Sequence, residues 1–178
     1  MSDGSASAAP AAPLPVAQSG WRWLPLTLLV IVLDQLVKAW VVQHFHLFER
    51  VHLLPVLDLI LTYNTGAAFS FLADAAGWQR WLFVVLALTV SVALIAWMRR
   101  LRASSQGLLA CGLALIVGGA LGNFIDRLLH GRVVDFVHAH WGEHYFPAFN
   151  VADSAITIGA ALLLLDALLE SGRGRSRP

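Results

Sequence analysis

Residues 108–127 read LLACGLALIVGGALGNFIDR. The first eighteen of them carry no charge, and the polar residues Asn123, Asp126 and Arg127 crowd the far end. About 20 apolar residues in a helix, at 1.5 Å each, cross the roughly 30 Å of hydrocarbon in a bilayer. Such a run must satisfy its own backbone hydrogen bonds, which a helix does and a lone strand does not. Gly118 and Gly122 lie one turn apart, a small-residue face that lets a second helix approach closely. Asn123 and Arg127, also four apart, share a face at the end of the run. The stretch therefore predicts a transmembrane helix with chemistry at its membrane edge.

Three more runs surround it, at residues 24–42, 78–98 and 151–169. The whole chain of 178 residues is 58% hydrophobic and 13% charged, where a soluble domain carries about 25% charged residues. The expected fold is an all-α membrane protein, with a single four-helix transmembrane domain over residues 21–170. Residues 1–20, rich in Ala, Pro and Ser, read as a disordered tail. They lack the basic cluster of a secretory signal, and the run that follows is too long for a signal core. Residues 171–178 form a basic tail. Arg22, Arg99, Arg100, Arg102, Arg173, Arg175 and Arg177 fall on one side of the four spans, against Arg50, Arg80, Arg127 and Arg132 on the other. The positive-inside rule then puts both termini in the cytoplasm and the loops 43–77 and 126–150 outside. Within the first loop, residues 52–63 suit short strands or a segment lying on the bilayer. Cys111, the sole cysteine, excludes an internal disulfide. No basic patch with interleaved aromatics points to nucleic acid.

Polar groups at membrane depth cost roughly 2.5–3.5 kcal/mol each for a charge and require partners. Asp34 and Lys38, the only lysine, are four apart and pair on one helix face. Asn64-Thr65-Gly66 suits a turn where backbone approaches another group. Asp153 falls in the first turn of the last span, where free N–H groups favour an anion. Asp135 reads singly as a loop acid. Together, the loop between Asp135 and Asp153 is short enough to fold back and bring the two to one membrane-edge site. Two facing carboxylates share a proton: the ionised one takes a proton from water and the protonated one polarises a carbonyl. That is aspartyl peptidase chemistry, and it requires no metal.

Three other chemistries compete. Ser70 or Ser154 with Lys38 would make a serine–lysine peptidase, but Asp34 keeps Lys38 charged and unsuited as a base. All seven histidines lie in the outer loops, and His138-x-His140 with His144 invites a metal, yet no H-E-x-x-H or comparable spacing occurs. A proton-coupled transporter would use the intramembrane Asp and Lys, but four spans without a repeat suit it poorly.

The set Asp34–Lys38, Asn64-x-Gly66-x-Ala68-Phe69, Gly119-x-x-Gly122-Asn123-x-x-Asp126-Arg127, Val134-Asp135-Phe136 and Phe149-Asn150-x-Ala152-Asp153 resembles the lipoprotein signal peptidase (signal peptidase II) family. It runs in order through most of the chain. The resemblance implies a bacterial inner-membrane aspartyl endopeptidase that removes signal peptides from prolipoproteins, cutting before a diacylglyceryl-modified cysteine. It implies catalysis by Asp135 and Asp153, with support from Asp34, Lys38, Asn64, Gly66, Ala68, Gly119, Asn123, Asp126, Arg127, Asn150 and Ala152. It also implies a small extracytoplasmic β-sheet and a short periplasmic helix within residues 43–77, and inhibition by globomycin-type compounds. The expected partners are diacylated prolipoproteins and membrane lipid. A monomer working at the periplasmic face without cofactor or metal is expected. The long Ala/Pro tail is the one departure from the family pattern.

Overall fold

The computed structural model describes residues 14–66 and 77–175. Each apolar run forms a helix: α1 (Leu24–His44), α2 (Trp78–Met98), α3 (Gly107–His130) and α4 (Val151–Arg175). All four contain a segment long and apolar enough to cross a membrane. Strands β1 (Arg50–Leu54) and β2 (Leu57–Asn64) follow α1, and β3 (Val133–Trp141) and β4 (His144–Tyr145) lie between α3 and α4. Pro25 stands in the first turn of α1, where its missing N–H costs nothing. Gly131, at φ +73°, ends α3 in the left-handed conformation that glycine adopts without strain.

The bundle is built around α3. Half of its apolar window is buried, against 17–28% for the other three, so those three pack around it. Glycines set the separations. A Cβ on Gly118 would fall 2.8 Å from Val30 Cβ of α1, and one on Gly159 would fall 2.6 Å from the Gly112 carbonyl oxygen. A Cβ on Gly119 would collide with the Ala152 carbonyl of α4 and come within 2.7 Å of Ile156 Cγ1. The small-residue face expected at Gly118 and Gly122 thus packs on α1, while Gly112 and Gly119 seat α4. Leu28, Leu36, Val85, Val92 and Leu164 point outward and are exposed. An apolar exterior around a core holding Asp34, Lys38 and Asn150 is the arrangement that lipid selects.

Gly119→Ala is expected to lower stability by about 1–3 kcal/mol, the usual cost of overpacking. Thermal unfolding in detergent measures it. An unchanged midpoint would show that α3 and α4 are not held at this distance.

The sheet is an antiparallel meander in the order β1-β2-β3-β4. It begins within residues 43–77, as the resemblance implies, but takes its other two strands from the second outer loop. Asp135 is therefore a strand residue, paired opposite Thr62 of β2, and not the loop acid that its neighbours alone suggest. The β-branched and aromatic run around Val133, Val134, Phe136 and Val137 pairs with the edge of β2 and buries Val133, Val134 and Phe136. The short helix expected within residues 43–77 is not found among the described residues 45–66, and residues 67–76, which include Ala68, lie outside the described ones.

The N-terminal side departs from expectation at one boundary. Val16–Gln18 and Gly20–Trp23 form 3-10 turns, and Ser19 is buried. Gly20 N–H donates to the Leu101 carbonyl at 3.0 Å, and Ala103 N–H donates to that of Gln18 at 2.9 Å. Residues 14–20 are thus folded against the turn between α2 and α3, because that turn's backbone groups need partners. Residues 1–13 lie outside the described ones.

Candidate active site

Four elements, α1, α3, β3 and α4, converge at the sheet end of the bundle. The buried ammonium of Lys38 on α1 lies 2.7 Å from Asp34 Oδ2 and 3.0 Å from Asp126 Oδ2 of α3. It also donates to Asn123 Oδ1 at 2.9 Å. Asp34 Oδ1 accepts the Ala152 N–H at 2.9 Å, and Asp126 Oδ2 accepts the Val134 N–H at 3.0 Å. One cation and two carboxylates therefore bind the start of α4 and the start of β3 to the bundle. Gln35 closes the cluster, donating to Asp126 Oδ1 at 2.9 Å and to Asp34 Oδ2 and the Gly122 carbonyl at 3.2 Å.

Asn150 occupies the point where the two anchored segments meet. Its side-chain Oδ1 accepts the Asp153 N–H at 2.9 Å, while Asp153 Oδ2 accepts the Asn150 N–H at 3.2 Å. This reciprocal pair is a capping box at the start of α4. The Asn150 amide nitrogen donates to Asp135 Oδ1 at 2.7 Å and approaches the Val134 carbonyl and Asn123 Oδ1 at 3.2 Å. Because Lys38 and Asn150 both donate to Asn123 Oδ1, the Asn123 amide has one orientation, and its nitrogen donates to Asp153 Oδ1 at 2.8 Å. Asp135 and Asp153 are thus held from behind by one fully buried residue, and both line the same cavity of about 1070 Å³.

Burial raises the Asp135 carboxyl first, and the Asp153 charge adds to it. Hydrogen bonds from Asn150 and Asn64 and the Lys38 charge oppose the rise, which ends at about 7. A carboxyl held in that range is protonated below neutral pH and about half protonated at it, where an ordinary carboxyl has lost its proton.

Of the residues singled out in the sequence, Asp34, Lys38, Asn123, Asp126, Asp135, Asn150, Ala152 and Asp153 form this one connected network. Gly119 gives Ala152 its room. Asn64 Oδ1 accepts the Gly66 N–H at 2.9 Å in a tight turn, and Arg127 donates to the Gly66 carbonyl at 2.7 Å, tying the end of β2 to α3. Among the described residues Lys38 meets no serine: its partners are two carboxylates and an amide, while Ser154 donates to the Asn150 carbonyl at 2.9 Å. Ser70 lies outside the described residues.

Residues 26–169 match the family described as Signal peptidase (SPase) II. The chain belongs to the signal peptidase II family. It is 52% identical to the lipoprotein signal peptidase of Shewanella halifaxensis (strain HAW-EB4), over 85% of this chain and 88% of that one. Its identity to the lipoprotein signal peptidase of Yersinia enterocolitica is 50%, over 87% and 91%. Among solved structures, a bacterial membrane enzyme determined in meso at 2.3 Å resolution aligns with a TM-score of 0.77 and 26% identity, covering 89% of this chain and 94% of that one. A second, at 1.9 Å resolution, aligns with a TM-score of 0.71 and 28% identity, covering 83% and 93%.

Two contributors to the candidate site of this signal peptidase II family member escaped sequence reading. Gln35 sits beside Asp34 in an apolar span, and an uncharged polar residue at that depth was the available signal. His138 lines the cavity, but only the pairing of β3 puts it there.

Proposed function

We propose that this chain removes the signal peptide from diacylglyceryl-modified bacterial prolipoproteins, cutting before the lipidated cysteine with Asp135 and Asp153 as the catalytic pair. The observation that carries this reading is Asn150, which binds both carboxylates on the wall of one cavity. Family membership, and relatives about 50% identical that are named lipoprotein signal peptidase, supply the substrate class.

The chemistry follows from the two environments. Asp153 stands at a helix N-terminus and accepts hydrogen bonds on both oxygens, which favours its anion. It takes a proton from water as the water oxygen bonds to the scissile carbonyl carbon. Asp135 gives its proton to the carbonyl oxygen. The tetrahedral intermediate collapses when the carbon–nitrogen bond breaks, the amine nitrogen taking the proton from Asp153 and Asp135 recovering its own. Asn123, held by Lys38, and Asn150 position these groups. Phe83, Leu86, Val90 and Ile158 make much of the cavity wall apolar, suited to acyl chains and a signal helix. The three-arginine turn at Arg99, Arg100 and Arg102 supports a topology with both termini in the cytoplasm and this site at the periplasmic face of the inner membrane.

The test is cleavage by the purified enzyme of a diacylated prolipoprotein beside its unlipidated precursor. The lipidated form is expected to be cut, the unlipidated form at least about tenfold more slowly, as about 1.4 kcal/mol of lipid contact requires. A globomycin-type inhibitor is expected to block the reaction, and a chelator to leave it running at 25 °C. Equal rates on both precursors would refute lipid recognition.

A pH dependence follows from Asp135. Its folded value of about 7 lies above the ordinary 3.8, so between those limits the folded protein keeps a proton that the unfolded chain has lost. Stability is expected to fall as pH rises from about 4 towards 7 and then level off, by up to about 1.4 kcal/mol per pH unit. The cleavage rate falls above about pH 7 as the acid deprotonates. Unfolding midpoints from pH 5 to 8 should lose this slope in Asp135→Asn. The same slope in that variant would place the proton elsewhere.

A further inference from the structure

We infer that the sheet carries a second site, for a divalent transition-metal ion of the zinc type, formed by His52 Nδ1, Asp58 Oδ1 and His140 Nε2. The three residues stand on adjacent strands, β1, β2 and β3, and their ligand atoms all lie within 4.8 Å of one another. His52 Nδ1 is 2.6 Å and His140 Nε2 3.4 Å from Asp58 Oδ1. Ligands bound to zinc at about 2.0–2.1 Å in a tetrahedron are roughly 3.3 Å apart. His140 already has that spacing, and His52, whose side chain is 75% exposed, is free to draw back to it.

The groups themselves point to a ligand. Asp58 is fully buried, an unusual place for a carboxylate on the outside of a membrane bundle. Neither ring nitrogen of His140 has a hydrogen-bond partner among the described residues, although its side chain is only 12% exposed. Buried polar atoms rarely stay unmatched without a reason. Two imidazoles and one carboxylate with a side open to water suit zinc and its neighbours over calcium or magnesium, which prefer oxygen ligands. Arg50 lies 3.6 Å from the other oxygen, Asp58 Oδ2, and over the Tyr145 ring. It leaves Oδ1 to the metal, but its charge limits the affinity, so a micromolar and exchangeable site is expected. The sequence pattern of His138, His140 and His144 suggested a different trio. Strand pairing instead selects His140 and adds His52 and Asp58 from the other loop. An ion here would clamp three strands, including the one that carries Asp135, without touching the reacting groups. The inference is independent of the proposed peptidase chemistry.

Full-length protein in detergent, purified without a histidine tag and stripped with chelator, is titrated with Zn²⁺ by calorimetry and with Co²⁺ by visible absorption. The expected result is about one equivalent bound per chain, a raised unfolding midpoint, and a Co²⁺ spectrum of low coordination number. His52→Ala and His140→Ala should each weaken binding at least about tenfold, while His44→Ala and His144→Ala should not. Because His52 is exposed, its variant tests the site without endangering the fold and should keep basal peptidase activity. Saturation no tighter than roughly 100 µM, or binding that both His52→Ala and His140→Ala leave unchanged, would overturn the inference.

Discussion

Asp135→Asn and Asp153→Asn are each expected to reduce cleavage of a diacylated prolipoprotein by about 10³-fold or more, while the protein still inserts and folds. General acid and base groups each contribute about 10²–10⁴-fold, and members of one catalytic unit lose activity together. Both substitutions keep the side chain's size. At position 135 the new amide still offers an oxygen to the Asn150 amide nitrogen, now 2.7 Å from the carboxylate. At position 153 a single amide oxygen replaces two that accept from Asn123 and from the Asn150 N–H. The capping box then loses one bond, at a cost of about 1 kcal/mol, too little to unfold the bundle. Rate measurements with purified variants, beside unfolding midpoints, separate chemistry from folding. Either variant working within tenfold of the parent would remove that residue from the dyad.

Lys38→Met is expected to be the most destabilising single change in the bundle. It leaves Asp34 and Asp126 facing each other without the cation that now lies 2.7 and 3.0 Å from them. Removing one member of a buried ion pair costs about 3–5 kcal/mol, because the remaining charge has no solvent and no partner. Here two carboxylates are left. Their loss of order would free the starts of α4 and β3, which they hold through the Ala152 and Val134 N–H groups. Activity should fall with stability, since Asn123 loses one of the two donors that set its orientation. Adding Asp126→Asn to Lys38→Met removes one of the stranded charges and should recover part of the stability. Unfolding in mixed micelles measures both variants. A Lys38→Met protein as stable as the parent would mean that the triad is not holding the site together.

Local signals made part of this site legible. Asp34 and Lys38 pair because a helix puts residues four apart on one face, and both positions lie inside an apolar run that has to be helical. The same periodicity joined Gly118 with Gly122 and Asn123 with Arg127. The second span ends where its hydrophobicity ends, at Trp78 and Met98. Asp153 was legible as a first-turn acid, and it is one, in a capping box with Asn150. That structural duty coexists with its place on the cavity wall.

Other features depend on residues far apart in the chain. That Asp126 shares Lys38 with Asp34 depends on how α3 rotates against α1, which Gly118 and Gly122 set by contact. Asp135 became a strand residue because β2 had an edge to pair, and its register opposite Thr62 decides which way the carboxylate points. A shift of one residue would turn it to the other face. His52 and Asp58 were anonymous loop residues, and His140 was grouped with His138 and His144, until three strands aligned the trio. By itself, then, the sequence determined the membrane as solvent, the four helices and the i,i+4 pairs within them, since these follow from hydrophobic run length and helical period. Only the tertiary structure decided that Asn150 binds both Asp135 and Asp153, because that meeting requires a strand and a helix start to be brought together by buried charges on two other helices.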